Sequence, residues 1–372
     1  MRGTPMRFVV AMVGVGLAWL GMLGLIWAGP AAAKCQLQQG AEFHVIVENH
    51  RALVPVEING QQALMILDTG AGSSMLFPDA VRRFGLQTRY MPSALRVYGV
   101  GGQAHPQIAV ISAFRLEQHY VAKDFMMMVA GGRGVAGERA VGLLGQDILA
   151  NWDVEIDLAH SVVRLLHPVG CKSEEMVYWG AAYAQTRIES DPSFFAHTTV
   201  RALLNGKGVD AYLDTGAQGS TVTLAAAAQA GLRPGSPKVQ QSGMSHGIGD
   251  YAAPTWIAVF DTFGLGEETI NHAKIRMADM FEHATYEETG SHIAARADNL
   301  PSMLLGADFF LAHHVLISNS QHMVYFSYNG GTVFDTSSPP PQAPAEPATA
   351  PATPTGQATK PPQVESAGAK GG

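Results

Sequence analysis

From Leu53 the chain alternates apolar and polar positions in "LVPVEI", breaks at Asn59-Gly60, and resumes as "ALMIL" up to Leu67. Alternation with a period of two predicts half-buried strands. Asn-Gly between them predicts a two-residue hairpin turn, because both residues tolerate positive φ. The pattern returns later as "HTTVRAL", Asn205-Gly206 and "VDAYL". Each second strand runs into the same peptide, Asp-Thr-Gly-Ala, at Asp68–Ala71 and again at Asp214–Ala217. Short helical patterns follow, "PDAVRRF" and "LAAAAQA". Pro78 suits a first helical turn, Thr223 an N-cap, and Gly85 and Gly231 the left-handed position that ends a helix.

The correspondence continues downstream. "GLLGQDIL" from Gly142 matches "MLLGADFF" from Met303, with Gly145 opposite Gly306. The strand patterns "VEID" and "VLIS" begin nine residues beyond those glycines, and "VVRLL" and "MVYFS" begin seventeen beyond. The intervening "LAHS" and "NSQH" read as hairpin turns. Constant spacing inside the blocks, with variable loops between them, marks one unit used twice. The expected fold is mostly β: two homologous lobes, each mostly strand with one or two short helices. The lobes are placed at 45–168 and 191–335, with 169–190 as connector.

Composition supports two domains. The 372 residues are 47% hydrophobic and 15% charged, with 41 glycines to serve turns. A net charge of −7 with no Lys/Arg block excludes a nucleic-acid-binding face. Arg2 and Arg7 precede an uncharged, mostly apolar run from Phe8 to Trp27, and Ala31 and Ala33 form an A-x-A exit. Residues 1–33 therefore read as a cleaved signal peptide, and the protein as periplasmic or extracellular. Retention of residues 8–27 as a membrane anchor is the alternative. Lys34 argues against lipidation of Cys35. Cys35 and Cys171 are the two cysteines, and an exported protein is expected to bridge them. Residues 336–372 hold nine prolines and no aromatic residue, the composition of a disordered tail.

The repeated peptide carries the chemistry. Two carboxyls held close together cannot both ionise comfortably, so one keeps a proton while the other loses it. Such a pair can take a proton from water and donate one to a carbonyl oxygen, which is general acid–base hydrolysis of an amide. Asp68 and Asp214 are the candidate pair. Gly70 and Gly216 let the backbone approach the carboxyls. Thr69 and Thr215 carry hydroxyls able to bond across the lobe interface.

Two Asp-Thr-Gly-Ala peptides, glycine-rich loops and apolar-apolar-Gly blocks resemble the retropepsin-type aspartic peptidases. Ala71 and Ala217 point to the retroviral-like branch, while two motifs in one chain resemble the bilobal pepsins. The resemblance implies two homologous β-barrel lobes with short helices and the catalytic cleft between them, and an aspartic endopeptidase acting on a peptide or protein substrate, without metal or cofactor, as a monomer. It also implies that Leu144-Gly145 and Leu305-Gly306 pack behind the catalytic loops as a psi-like crossing. By position it implies two flaps, at Gly99, Val100, Gly101 and Gly102, and at Gly247, Ile248 and Gly249. The chain departs from the family at Gly72-Ser73 and Gln218-Gly219, where an acidic residue often binds substrate backbone. Gln146 and Ala307 stand where an Arg often follows the apolar block.

Other patterns carry less. "GVGGQA" from Gly99 fits a dinucleotide loop, but His105-Pro106 stops any helix after it. "GMSHG" from Gly243 fits a nucleophile elbow, but the polar "KVQQS" precedes it in place of an apolar strand. His313, His314 and His322 are expected to be surface or half-buried, and the Met-rich "FMMMVA" from Phe125 to fill the core. A binding module that keeps the fold without catalysis is the alternative function.

Overall fold

The computed structural model describes residues 35–336, apart from 91–96, 100–101, 105, 117–119, 132–138, 181, 190–196, 248–250, 282–284, 288–293, 297–299 and 335. The signal segment and all of the tail beyond Thr336 lie outside the described residues.

β1 (Gln36–His44) and β2 (Ile46–Glu48) lead into the hairpin of β3 (Arg51–Ile58) and β4 (Gln61–Leu67). Asn59 and Gly60 take φ of 50° and 81°, so the Asn-Gly turn forms as expected. There follow β5 (Met75–Leu76), α1 (Pro78–Phe84), β6 (Thr88–Tyr90), a small hairpin of β7 (Val97–Gly99) and β8 (Gly102–Ala104), and a long hairpin of β9 (Gln107–Leu116) and β10 (Tyr120–Val129). β11 (Gly142–Leu144) then threads between β4 and β5, parallel to the first and antiparallel to the second. α2 (Gln146–Leu149) completes the lobe. β9 pairs back onto β3, so β3-β4-β11-β5-β10-β9 closes into a six-stranded barrel.

The chain leaves this barrel through β12 (Asp153–Asp157), β13 (Val162–Val169), α3 (Ser173–Met176) and β14 (Ala184–Arg187). The second lobe repeats the plan. Its hairpin is β15 (Thr199–Leu204) and β16 (Lys207–Leu213), turning at Asn205 and Gly206 with φ of 48° and 75°. β17 (Thr221–Thr223), α4 (Leu224–Gln229), β18 (Val239–Ser245), β19 (Ala253–Leu265), β20 (Glu268–Ala278), the hairpin of β21 (Thr285–Glu287) and β22 (Ala294–Arg296), β23 (Met303–Leu305) and α5 (Ala307–Ala312) follow. β23 threads between β16 and β17 as β11 does, and β15-β16-β23-β17-β20-β19 closes where β19 meets β15. The Thr223 hydroxyl caps α4 by accepting from Ala226 N at 3.2 Å.

Alternation fills the barrels. In β15, Val200, Ala202 and Leu204 are buried while Arg201 and Leu203 are exposed. Phe114, Phe260 and Phe263 are fully buried, each contributing roughly 1.5–3 kcal/mol.

The strands after each apolar block do not complete their own barrels. With β24 (His313–Ser318) and β25 (Met323–Tyr328) they form a separate six-stranded sheet ordered β1-β13-β12-β24-β25-β14. Its centre is the antiparallel pair β12 and β24, one from each half, and every residue of both strands is buried. β1 lies before the expected lobe boundary and β14 within the expected connector, yet each supplies an edge of this shared sheet. The disulfide between Cys35 and Cys171 ties the start of β1 to the end of β13.

A polar cluster centred on buried Glu155 and His314 crosses the sheet. Glu155 accepts from Tyr178 Oη at 2.5 Å and from Arg164 at 2.7 Å, and bonds His314 Nε2 at 2.9 Å. Burial alone would raise the Glu155 pKa, but the bonds from His314 and Tyr178 and the charge of Arg164 win and hold it low. His314 is therefore not a surface histidine, nor is His313. Both are buried, His313 bonding Phe309 O at 2.8 Å and stacking on the Phe309 ring. Apolar period alone missed them because each ring finds a polar partner inside. The Met-rich strand also divides: Met127 is buried, but Met126 is 65% exposed, as alternation along β10 requires.

Candidate active site

Both Asp-Thr-Gly-Ala peptides leave a barrel strand and turn sharply at the lobe junction. The backbone N–H of Asp68 donates to Leu144 O at 3.0 Å, and that of Asp214 to Leu305 O at 2.9 Å. The apolar blocks thus lock the two loops from behind. Gly145 has no room for a side chain there, since a Cβ would lie 2.7 Å from the Ala71 carbonyl oxygen. At Gly306 it would lie 2.7 Å from the Gly219 carbonyl oxygen. The expected crossing is present in both halves.

The threonines bond reciprocally across the junction. Thr69 Oγ1 donates to Leu213 O at 2.7 Å and accepts from Thr215 N at 3.1 Å. Thr215 Oγ1 donates to Leu67 O at 2.7 Å and accepts from Thr69 N at 3.1 Å. All four bonds are buried. They bring Asp68 and Asp214 together with their carboxyls sharing a hydrogen bond. Each glycine faces the opposite carboxyl. A Cβ on Gly70 would collide with the Asp214 carboxyl, and one on Gly216 with that of Asp68.

The carboxyls differ electrostatically. Burial raises both pKa values. For Asp68 the negative charge of Asp214 and the bond to it add to the rise, pushing it well above the usual carboxylate range. For Asp214 the rise from burial is opposed by backbone donation and by the bond from Asp68. Asp214 Oδ1 accepts from Gly216 N and Ala217 N, both at 3.0 Å, and Asp68 Oδ1 accepts from Gly70 N at 3.0 Å. The pair titrates as a unit, and burial of two adjacent carboxyls keeps one proton between them.

Two segments, residues 54–148 and 200–309, match the family described as "Aspartyl protease", and together they make up more than half of the chain. The chain belongs to the aspartyl protease family. Among solved structures it is similar to a retropepsin-like aspartic protease from Rickettsia conorii, at 13% identity over 36% of this chain and 94% of that one, with a TM-score of 0.25. No curated protein matches it.

The two aspartyl protease lobes share further supports that the motif reading passed over. Ser74 Oγ donates to Asp147 Oδ1 at 2.6 Å and accepts from Gly145 N at 2.9 Å. Ser220 Oγ donates to Asp308 Oδ1 at 2.6 Å and accepts from Gly306 N at 2.9 Å. Both serines stand six residues after their Asp, and both acids two residues after the block glycine, so the duplication held the signal. Burial raises the Asp308 pKa against the bonds from Ser220. Gln146, at the position where Arg is frequent, donates to Thr69 O at 2.7 Å and so braces the loop. His50 Nδ1 lies 3.2 Å from Gln218 O, and Arg51 Nε donates to Gly216 O at 3.0 Å.

At the first expected flap, β7 and β8 form a hairpin with Gly99 opposite Gly102, while Val100 and Gly101 lie outside the described residues. The same hairpin removes "GVGGQA" as a phosphate loop, since no helix follows it. At the second, β18 and β19 pair as far as Ser245 and Ala253. Gly247 follows β18, and Ile248 and Gly249 lie outside the described residues. "GMSHG" begins within β18, so the elbow is absent.

Proposed function

We propose that the protein is an aspartic endopeptidase in which Asp68 and Asp214 activate one water between them. The observation that carries this reading is the reciprocal arrangement of the two loops, with each glycine open to the opposite carboxyl. Asp214, ionised and held by two backbone N–H groups, takes a proton from the water as its oxygen attacks the peptide carbonyl carbon. Asp68 gives its proton to the carbonyl oxygen. The resulting diol collapses as Asp214 returns a proton to the leaving nitrogen and Asp68 recovers its own. Thr69, Gly70, Ala71, Thr215, Gly216 and Ala217 hold the loops. The β7–β8 and β18–β19 hairpins cover an extended peptide by strand pairing.

One chain supplies both carboxyls, which supports a monomeric enzyme. The Cys35–Cys171 bridge supports an oxidising compartment, in keeping with export and removal of residues 1–33. The test is peptide-library cleavage between about pH 3 and 7, spanning carboxyl-dyad titration. Wild type should cut, and Asp68→Asn and Asp214→Asn should each abolish cutting. A wild type that binds peptide but never cuts it would establish the binding-module reading instead.

A further inference from the structure

Arg51 and His197 occupy the same place in the two halves. Each stands seventeen positions before its aspartate, at or just before the strand that opens the hairpin. Each reaches to the opposite active-site loop. Arg51 Nε donates to Gly216 O at 3.0 Å, and the His197 ring hydrogen-bonds the backbone of Gly70. Those are the two glycines that face the carboxyls. The duplication has therefore kept the contact but changed the residue: a permanent guanidinium on one side, a titratable imidazole on the other.

The His197 ring is half-buried and stacks on Tyr212 of β16, with centroids 4.5 Å apart and planes 19° apart. Three charged or titratable groups face it or lie just behind. Asp214 acts on it directly, Tyr212 covers one face, and Asp210 influences that phenol. Across the pair, Arg51 acts on both carboxyls and favours their ionised forms.

We propose that His197 is a positioning residue that widens the pH range over which the Asp68–Asp214 pair carries a single proton. As neutral imidazole it braces the Gly70 loop without adding a second cation to the site, so the pair keeps its proton as the pH rises. As imidazolium, in acid, it sits beside Asp214 and resists uptake of a second proton. Burial holds the ring's pKa low, against the Gly70 bond and the Asp214 charge, so the neutral form serves the upper part of the range. An arginine in its place would supply charge throughout and remove the first effect.

The inference rests on the hydrolytic reading of the pair, and two measurements keep the two apart. The first is the pH–rate profile of peptide cleavage for wild type, His197→Arg and His197→Gln. His197→Arg should move the alkaline limb down by about one pH unit, a tenfold loss of activity on that limb. His197→Gln keeps a donor for Gly70 and should leave the alkaline limb in place while moving the acid limb up. The second is titration of the carboxyl carbons by NMR in aspartate-labelled protein, which needs no turnover. The same displacements should appear there even if no peptide is cut, in which case only the hydrolytic reading fails. Superposable titrations of the pair in all three folded proteins would overturn the role given to His197.

Discussion

Thr69→Ala removes one hydroxyl and strands two buried main-chain groups. Thr69 Oγ1 accepts from Thr215 N and donates to Leu213 O, and neither partner has solvent nearby, since Thr215 and Leu213 are fully buried. An unsatisfied buried polar group costs about 1–3 kcal/mol, so stranding two of them should destabilise the protein by about 2–6 kcal/mol. Thr69→Ser keeps the hydroxyl and gives up one methyl, about 1 kcal/mol or less. Equilibrium urea unfolding at neutral pH measures both, provided two spectroscopic probes give coincident transitions. The mirror substitution Thr215→Ala should cost a similar amount, because its two bonds have the same lengths. In the double variant the second loss should be smaller than the first, since one removal already loosens the pair of loops. A Thr69→Ala protein within 1 kcal/mol of wild type, and no less stable than Thr69→Ser, would refute the claim that these bonds fix the lobe junction.

Asp68→Asn should raise the thermal midpoint near neutral pH while abolishing cleavage. A carboxyl whose folded pKa is raised contributes most below its unfolded value, and that contribution is lost as pH rises through the folded one; scanning calorimetry at pH 7 and pH 4 should show the gain at pH 7 only. Gly70→Ala should eliminate activity by forcing the Asp214 carboxyl aside, whereas Gly85→Ala, at a left-handed helix end open to solvent, should keep activity and cost only about 1 kcal/mol in a denaturant titration. Reduction of the Cys35–Cys171 bridge should lower stability by about 2–5 kcal/mol, read as a fall in the urea midpoint with added thiol. Glu155→Gln should weaken the protein at neutral pH and matter progressively less as pH falls through the depressed pKa of Glu155, where wild type loses the same charge; unfolding midpoints across pH 3–7 check this.

Repetition made the site legible. A single Asp-Thr-Gly is an ordinary turn, but two copies at the ends of matched hairpins single out Asp68, Asp214 and both threonines, and the fold brings these to the lobe junction. Turn chemistry at Asn59-Gly60 and Asn205-Gly206 placed the strands around them. Pairing between the halves was not legible. "VEID" and "VLIS" announce strands, yet periodicity does not name a strand's neighbour, so their union across the lobes emerged only in three dimensions. The buried histidines escaped for a related reason: His314 is inside because Glu155 and Trp179 meet it there, and both are far away in sequence. Arg51 and His197 hid in plain view, since their kinship lies in an offset rather than in a shared residue type.

The sheet built on β12 and β24 also bears on how such a chain came to exist. Either half alone would leave its central strand with one edge unpaired, and the register of β12 against β24 lets the same strand in another copy cover that edge. A lone half is thus a ready-made homodimer whose two-fold axis passes between the central strands and between the aspartates. Joining the copies turned that symmetry axis into an internal seam. Freed from having to be identical, the two sides of the seam could then diverge, as Arg51 and His197 have.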